Sequence, residues 1–415
     1  MINLIDFLND SPLSFHAASN IVSELTACGY SLLAENTPWH LVPGGKYMVT
    51  RNGSSVIAFT LGESPNAGFD IALSHLDSPG LRLKMHSLHQ SAGVLVAPVE
   101  RYSMNIDSTW LDQPLTIAGR VVTTALEERL IHFAEQTAII PNLAIHLNRE
   151  ANKGVEYNPQ TQLSAVLGAI TPEEFRDAIA MQAGCSAQDI AEMELGLAVA
   201  ESAAVVGLKR DLIVSARLDN LLAAHAMLAA LCDPSIGKRS RTAVGFFADN
   251  EEIGSGTPQG ADSCFLRDTL ERLSISAGGT REDFFIALAG SHIISVDAAH
   301  AIHPNYPERY DATTSPVINH GIVLKSNANG RYATNSATAA WLERLCADND
   351  IPLQRFAIRS DLPCGSTVGP MTARRLGCPT VDIGSPMWAM HSVRETAGLK
   401  DQAWMTRLLI AFFRE

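Results

Sequence analysis

The sequence predicts an α/β protein, with a mixed, largely parallel sheet flanked by helices and a second, β-rich unit inserted into it. Three observations lead there. Four short apolar runs, Phe69-Asp-Ile-Ala-Leu-Ser74, Leu212-Ile-Val-Ser-Ala-Arg217, Ala243-Val-Gly-Phe-Phe-Ala248 and Ile293-Ile-Ser-Val296, have the length and composition of buried strands in such a sheet. Each run gives way at its end to His, Asp or Glu. From about Leu88 to Ser202 that pattern lapses, and it resumes at Leu212. The economical division is one discontinuous domain, residues 1–87 and 203–415, interrupted by an inserted unit at 88–202.

Composition sets the outer bounds. The chain has 415 residues, too many for one ordinary domain, and is 46% apolar and 18% charged, which describes a well-cored globular protein. The net charge of −13 argues against nucleic acid, which needs clustered Lys and Arg. The richest apolar stretch, Leu221 to Cys232, is too short for a membrane span and contains His225. The N-terminus, Met1-Ile-Asn-Leu-Ile-Asp, has no basic segment before an apolar one. The seven cysteines are scattered, without a C-x-x-C pair, so the sequence suggests neither a disulfide framework nor a structural zinc knuckle. A reducing cytoplasm is the simplest expectation.

The strand ends are the informative part. Ligand groups of an open parallel sheet gather beyond the carboxyl ends of its strands. The first run leads into His75-Leu-Asp77, whose two side chains point the same way on an extended chain. Asp77 can then accept from the imidazole's second nitrogen and fix the tautomer that binds metal. The competing reading is a surface His before the Ser78-Pro-Gly80 turn. The second run leads to Asp219, just before the helical Leu221-Leu-Ala-Ala-His-Ala226. There the competing reading is an N-cap, and a carboxylate at a helix start can serve both roles.

The third run leads to Asp249, Glu251 and Glu252. Adjacent acids at the end of a buried strand repel each other, and a cation relieves one of them. The other is left as a general base of tuned pKa. The glycines that follow miss the dinucleotide-binding spacing, and an exposed turn is the bland alternative. The fourth run ends on Asp297. His300 and His303 follow at a spacing of three, but Pro304 and the lack of an H-E-x-x-H pattern make them neighbours of the site or turn residues. A late histidine, His391, supplies the second nitrogen that the set lacks. One His and one carboxylate per ion with a shared carboxylate is the ligand set of a two-metal hydrolase. No nucleophile elbow and no phosphate-binding loop occurs. Cys364-Gly-Ser-Thr367 reads equally as a pocket-lining loop or a plain turn.

These segments resemble the M18 metallopeptidases, the aspartyl aminopeptidases. The resemblance rests on Ser74-His-Leu-Asp-Ser-Pro79, Arg217-Leu-Asp-Asn220, Asp249-Asn-Glu-Glu-Ile-Gly-Ser255, Asp297-Ala-Ala-His-Ala-Ile-His-Pro-Asn305, Cys364-Gly-Ser-Thr-Val-Gly-Pro370 and Ala389-Met-His-Ser-Val-Arg-Glu395. It implies a zinc-peptidase-like domain with two zinc ions per subunit, His75 and Asp297 holding one, Glu252 and His391 the other, and Asp219 bridging. Manganese or cobalt are chemically acceptable substitutes in such a carboxylate-rich pair. The resemblance further implies Asp77 as the group orienting His75 and Glu251 as general base.

Asn142-Leu-Ala-Ile-His-Leu-Asn-Arg149 resembles the family's inserted segment, which would make His146 a group acting in a neighbouring subunit's site, within a homo-oligomer of dodecameric form. Lys325 matches the family's lysine for an acidic substrate side chain, and Tyr332 is a candidate donor to the tetrahedral intermediate. The implied reaction is release of N-terminal Asp or Glu from peptides, with no nucleic-acid or membrane partner. Gly330, Leu362-Pro363 and the Trp110 segment depart from the family pattern, and none is a proposed ligand. The alternatives are a two-metal aminopeptidase or amidohydrolase of broader specificity, or a non-catalytic peptide-binding scaffold.

Overall fold

The structure, a computed structural model, describes residues 2–415 except Pro65 and Lys238. Its largest sheet has nine strands in the order Ser31–Leu32, Lys46–Arg51, Ser55–Thr60, Thr242–Ala248, Phe69–His75, His292–Val296, Thr380–Gly384, Ile322–Lys325, Leu353–Phe356. Five of its eight pairings are parallel, so the expected mixed, largely parallel sheet is present. The Phe69–His75 and Thr242–Ala248 strands are buried along their whole length, which explains why they read as continuous apolar runs. Helices cover both faces. Ser14–Ala27, Leu218–Leu231 and Leu399–Phe412 pack on one side around Ile21, Met227 and Leu408. Phe265–Ser276, Arg281–Ala289 and Val368–Leu376 pack on the other around Phe246, Phe265 and Phe284. Each fully buried Phe or Leu adds roughly 1.5–3 kcal/mol.

One expected strand lies elsewhere. Leu212–Ser215 stops two residues short of Arg217 and pairs antiparallel with Ala204–Val206 and Glu395–Gly398, in a separate five-stranded sheet. Its burial alternates between buried and half-buried, the signature of a strand covered on one face. The middle of the chain forms its own sheet, ordered Glu128–His132, Leu115–Thr123, Ile190–Val199, Gly80–Leu83, Val99–Tyr102. It has its own core around Leu95, Ile117, Phe175 and Ile179. One of its strands, Gly80–Leu83, precedes residue 88.

The cysteine expectation needs a correction. Cys28 and Cys232 form a disulfide with a Cα–Cα distance of 5.6 Å. Each caps the C-terminal end of a helix, Ser14–Ala27 and Leu218–Leu231, and those helices pack together. The partners are 204 residues apart, so only the packing of two helices brings them within reach, and no local spacing could reveal them.

Candidate metal centre

Three neighbouring parallel strands deliver the first candidate groups. Thr242–Ala248, Phe69–His75 and His292–Val296 lie side by side, so their carboxyl ends place Glu251 and Glu252, His75, and Asp297 around one spot. Asp219 comes from the start of the Leu218–Leu231 helix, and His391 from the turn between the Pro386–Trp388 and Glu395–Gly398 strands. The turns are tightly specified. Arg217, Asn250, Ala389 and His391 all have φ between 55° and 68°, a left-handed conformation uncommon for residues with a Cβ. Such outliers concentrate at functional sites. Ser78 Oγ donates to the Asp219 carbonyl at 2.7 Å and Asn220 Nδ2 to that of Val296 at 2.8 Å, fixing the Asp219 turn against both neighbouring strand ends.

The spacing of the candidate ligand atoms is compatible with bound metal. His75 Nε2 lies 3.4 Å from Asp219 Oδ1 and 3.4 Å from Asp297 Oδ1. His391 Nε2 lies 3.5 Å from Asp219 Oδ2 and 3.4 Å from Glu252 Oε1. These are long for charge-assisted hydrogen bonds, which run about 2.7–2.9 Å. They match the edge of a zinc tetrahedron, since two ligand atoms each about 2.0–2.2 Å from the ion sit about 3.4 Å apart. Asp219 serves both clusters with different oxygens, and its buried Oδ1 has no hydrogen-bond partner. A divalent cation in the His75–Asp297 cluster would satisfy that orphaned oxygen, so the donor set fits zinc. His75, Asp219 and Glu252 also offer ligand atoms within 4.8 Å of one another.

The surrounding groups hold the ligands in place. His75 Nδ1 donates to the Asp77 carbonyl at 2.9 Å, with Asp77 Oδ1 at 3.5 Å, so Nε2 is the nitrogen left for an ion. The Asp77 carboxylate mainly accepts from the Glu251 and Glu252 amides at 3.0 and 3.1 Å and from the Tyr102 hydroxyl at 2.7 Å. Glu395 accepts from the Asp219 amide at 3.0 Å and the His391 amide at 2.7 Å, tying together two ligands 172 residues apart (391 less 219).

Electrostatics carry the mark of crowded carboxylates. Burial, reinforced by Asp297, Glu252 and Asp77, pushes the Glu251 carboxyl well above its usual range. Burial and the Asp219 charge push Glu252 up to about 8. Burial alone would lower both histidines. The carboxylates of Asp219, Asp297 and Asp77 override it at His75, and those of Asp219 and Glu252 lift His391 to about 9. Burial and Asp219 likewise raise Glu395 to about 8. A site this rich in negative charge and this buried calls for cations.

The remaining residues named from the sequence fall into three groups. Lys325 and Tyr332 adjoin the site. Lys325 is 1% exposed, donates to the Ala298 carbonyl at 3.0 Å, approaches Asp297 Oδ2 at 3.7 Å and lies 5.1 Å from the Tyr332 ring centre. His300 is half-buried beside the Phe356 ring, and the Lys325 charge adds to burial in lowering its pKa. His303 is a turn residue whose Nδ1 accepts from the Asn305 amide. Cys364 lines an open groove of about 730 Å³, while Thr367 caps the Val368–Leu376 helix. His146 stands apart, exposed in a turn and without a hydrogen-bond partner among the described residues of its own chain. Sequence reasoning missed Tyr102, Ser103 and Glu395. Glu395 lies in a quoted motif and follows His391 by four residues, a signal that could have been read. Nothing local marks the other two.

The chain matches the profile of the aminopeptidase I zinc metalloprotease family (M18) over residues 7–413. It is 44% identical to a probable M18 family aminopeptidase 2 of Ectopseudomonas mendocina over 99% of this chain and 97% of the relative. The corresponding protein of Pseudomonas aeruginosa PAO1 is also 44% identical over the same shares. Among solved structures, the complex of Ape4 with Nbr1 superposes with a TM-score of 0.95 at 36% identity, covering 99% of this chain and 84% of the other. The Saccharomyces mApe1 dodecamer gives 0.87 at 28%, covering 99% and 95%. The aminopeptidase of Thermotoga maritima, at 22% identity and a TM-score of 0.88 with 99% and 94% covered, shares the fold. No helix among the described residues is long and apolar enough to cross a membrane.

Proposed function

The chain belongs to the M18 family of zinc metallo-aminopeptidases, and from that premise we propose that it hydrolyses the first peptide bond of peptides beginning with Asp or Glu, at a site holding two zinc ions. The observation that carries this reading is the shared Asp219, whose two oxygens each face a His–carboxylate pair at tetrahedral spacing. His75 and Asp297 would hold one ion, Glu252 and His391 the other. Bound zinc supplies positive charge that polarises the scissile carbonyl and acidifies the attacking water. Manganese or cobalt would suit the same oxygen-rich donors.

The protein's own groups do the rest. Glu251, buried among like charges, takes the proton of the attacking water and returns it to the leaving amine. Asp77 holds the Glu251 and Glu252 amides, which fixes base and ligand relative to each other. The carboxylates around the site attract the free α-amine of the substrate, which favours cleavage at the N-terminal bond. Lys325 offers a compact cation to an acidic substrate side chain, and Tyr332 lies beside it as a donor.

We further propose a homo-oligomer, dodecameric by analogy with the mApe1 assembly, in which His146 serves a neighbouring subunit's site. The exposed Leu143, Ile145 and Leu147 around it favour a covered surface there. Residues 1–87 and 203–415 form the catalytic domain and 88–202 the assembly domain. The proposed compartment is the cytoplasm. Five cysteines are free, and the Cys28–Cys232 bridge is the feature that argues the other way.

A second reading, a broader two-metal aminopeptidase, draws on Lys325, since its charge already has Asp297 and a carbonyl as partners. Release of the N-terminal residue from Asp-, Glu-, Leu- and Lys-initiated peptides, by protein stripped of metal and then reloaded, separates the two. Metal-dependent release confined to Asp and Glu is expected. Equal release of Leu would favour the broader reading, and no release after reloading would overturn both.

A further inference from the structure

The inserted unit touches the metal centre through three consecutive residues. The Val99–Tyr102 strand ends beside Gly80–Leu83, and the chain then turns over the site. The Tyr102 hydroxyl donates to Asp77 Oδ2 at 2.7 Å and accepts from Asn250 Nδ2 at 2.9 Å. Ser103 Oγ donates to Glu252 Oε2 at 2.9 Å. The Met104 carbonyl accepts from His391 Nδ1 at 2.9 Å. Two later contacts fasten the same turn: the Ile106 amide to the His391 carbonyl at 3.2 Å, and the Val393 amide to Thr109 Oγ1 at 3.2 Å.

We infer that Tyr102-Ser103-Met104 is a positioning strap, through which the inserted unit sets the coordination geometry of the Glu252–His391 ion. The inference rests on the two-ion reading above. Its physical content lies in which atoms are taken. Glu252 has two oxygens. Oε2 is taken by the Ser103 hydroxyl, while Oε1 faces His391 Nε2 at 3.4 Å. The hydroxyl therefore selects a one-oxygen mode of ligation and stops the carboxylate from swinging. The imidazole of His391 has two nitrogens. The Met104 carbonyl accepts a hydrogen bond from Nδ1–H, which leaves Nε2 with its lone pair toward the ion. Tyr102 grips Asp77, which in turn holds the amides of Glu251 and Glu252. The Ser103 and Met104 contacts thus converge on one half of the centre, and the Tyr102 contact, through Asp77, on the base beside it and on His75.

Backbone conformation supports the same conclusion. Ser103 has a φ of 65°, in the left-handed region where a residue with a Cβ is uncommon. Glycine would sit there with less strain, yet serine occupies the position, and its hydroxyl is the atom that reaches Glu252. A merely structural turn has no need of that hydroxyl.

The test is titration of the full-length protein with Zn²⁺ alone against a chelator of known affinity, in the wild type, Ser103→Gly and Ser103→Ala. It is paired with the visible absorption spectrum of the Co²⁺-loaded forms. Ser103→Gly tolerates the φ and removes the hydroxymethyl group, while Ser103→Ala keeps the Cβ and removes the hydroxyl alone, so both delete the contact. Groups in this supporting role typically carry about 10–100-fold in metal affinity. The expected result is a loss of that size at one of two zinc ions in both variants, the other ion unaffected, with a changed cobalt spectrum. Wild-type affinity and an unchanged spectrum in Ser103→Gly would overturn the strap, as would a loss confined to Ser103→Ala, which would assign the effect to backbone strain. Stoichiometry separates this failure from that of the two-ion reading. Two ions in the wild type with unaltered variants sinks the strap alone, whereas a single ion in the wild type sinks the two-ion site and the strap with it.

Discussion

Replacing Glu251 by Gln isolates the proposed base, because the structure gives that side chain nothing else to do. Its backbone amide is held by Asp77, but its carboxylate has no hydrogen-bond partner among the described residues. It is not one of the five groups at tetrahedral spacing. Gln has the same shape, so packing is preserved. Removing its charge also removes repulsion from Asp297, Glu252 and Asp77. The variant should therefore melt no lower than the wild type when metal-free, and should still take up zinc, because all five groups at tetrahedral spacing remain.

Turnover, by contrast, should collapse. General base catalysis contributes about 10²–10⁴ in rate, equal to about 3–5 kcal/mol of barrier. Because the base acts only as the reaction proceeds, kcat should fall by that factor with KM nearly unchanged. The assay is steady-state release of N-terminal Asp from a peptide by zinc-loaded protein, with metal content measured on the same sample. Activity within tenfold of the wild type at full metal content would refute the role assigned to Glu251. Loss of activity together with loss of zinc would make Glu251 a ligand instead.

Two further outcomes follow from the charges. Glu252 and Glu395 are held up to about 8 and His391 to about 9, while the histidines that burial lowers, such as His16 and His300, oppose them only below about pH 6.5, so these groups make the metal-free folded chain bind more protons than the unfolded one from about pH 6.5 to 9. Its melting temperature should fall as pH rises through that window, and zinc loading should suppress the fall. A metal-free protein that gains stability from about pH 6.5 to 9 would contradict the assigned shifts. Lys325→Ala should abolish the preference for Asp over Leu. It should also lower the metal-free melting temperature, since stripping one partner from a buried pair costs about 3–5 kcal/mol. Retained preference for acidic N-termini would move the specificity determinant elsewhere.

The four strand ends were readable because strand chemistry and ligand chemistry contrast sharply. Phe69–His75 is apolar until it meets His75, and Thr242–Ala248 until it meets the acids. Contiguity in the chain made these turns visible, and parallel order in the sheet made them neighbours. Leu212–Ser215 shows where that logic stops. It carries the same local signature, yet pairs in another sheet, and Asp219 still arrives because a helix start rather than a strand end delivers it.

By itself, then, the sequence determined the elements and the residue types offered as ligands, since periodicity, apolar run length and side-chain chemistry are local properties. It also carried enough long motifs to announce the family. Tertiary structure alone decided the pairing of ligand atoms, the two faces of Asp219, the burial of Lys325, and the Cys28–Cys232 bridge. It alone brought Ser103 to Glu252, 149 residues away in the chain. Those facts depend on which oxygen or sulfur faces which neighbour across the packed interior, at a resolution of tenths of an ångström. Such distances arise from the meeting of helices and separate sheets, and no stretch of neighbouring residues encodes them.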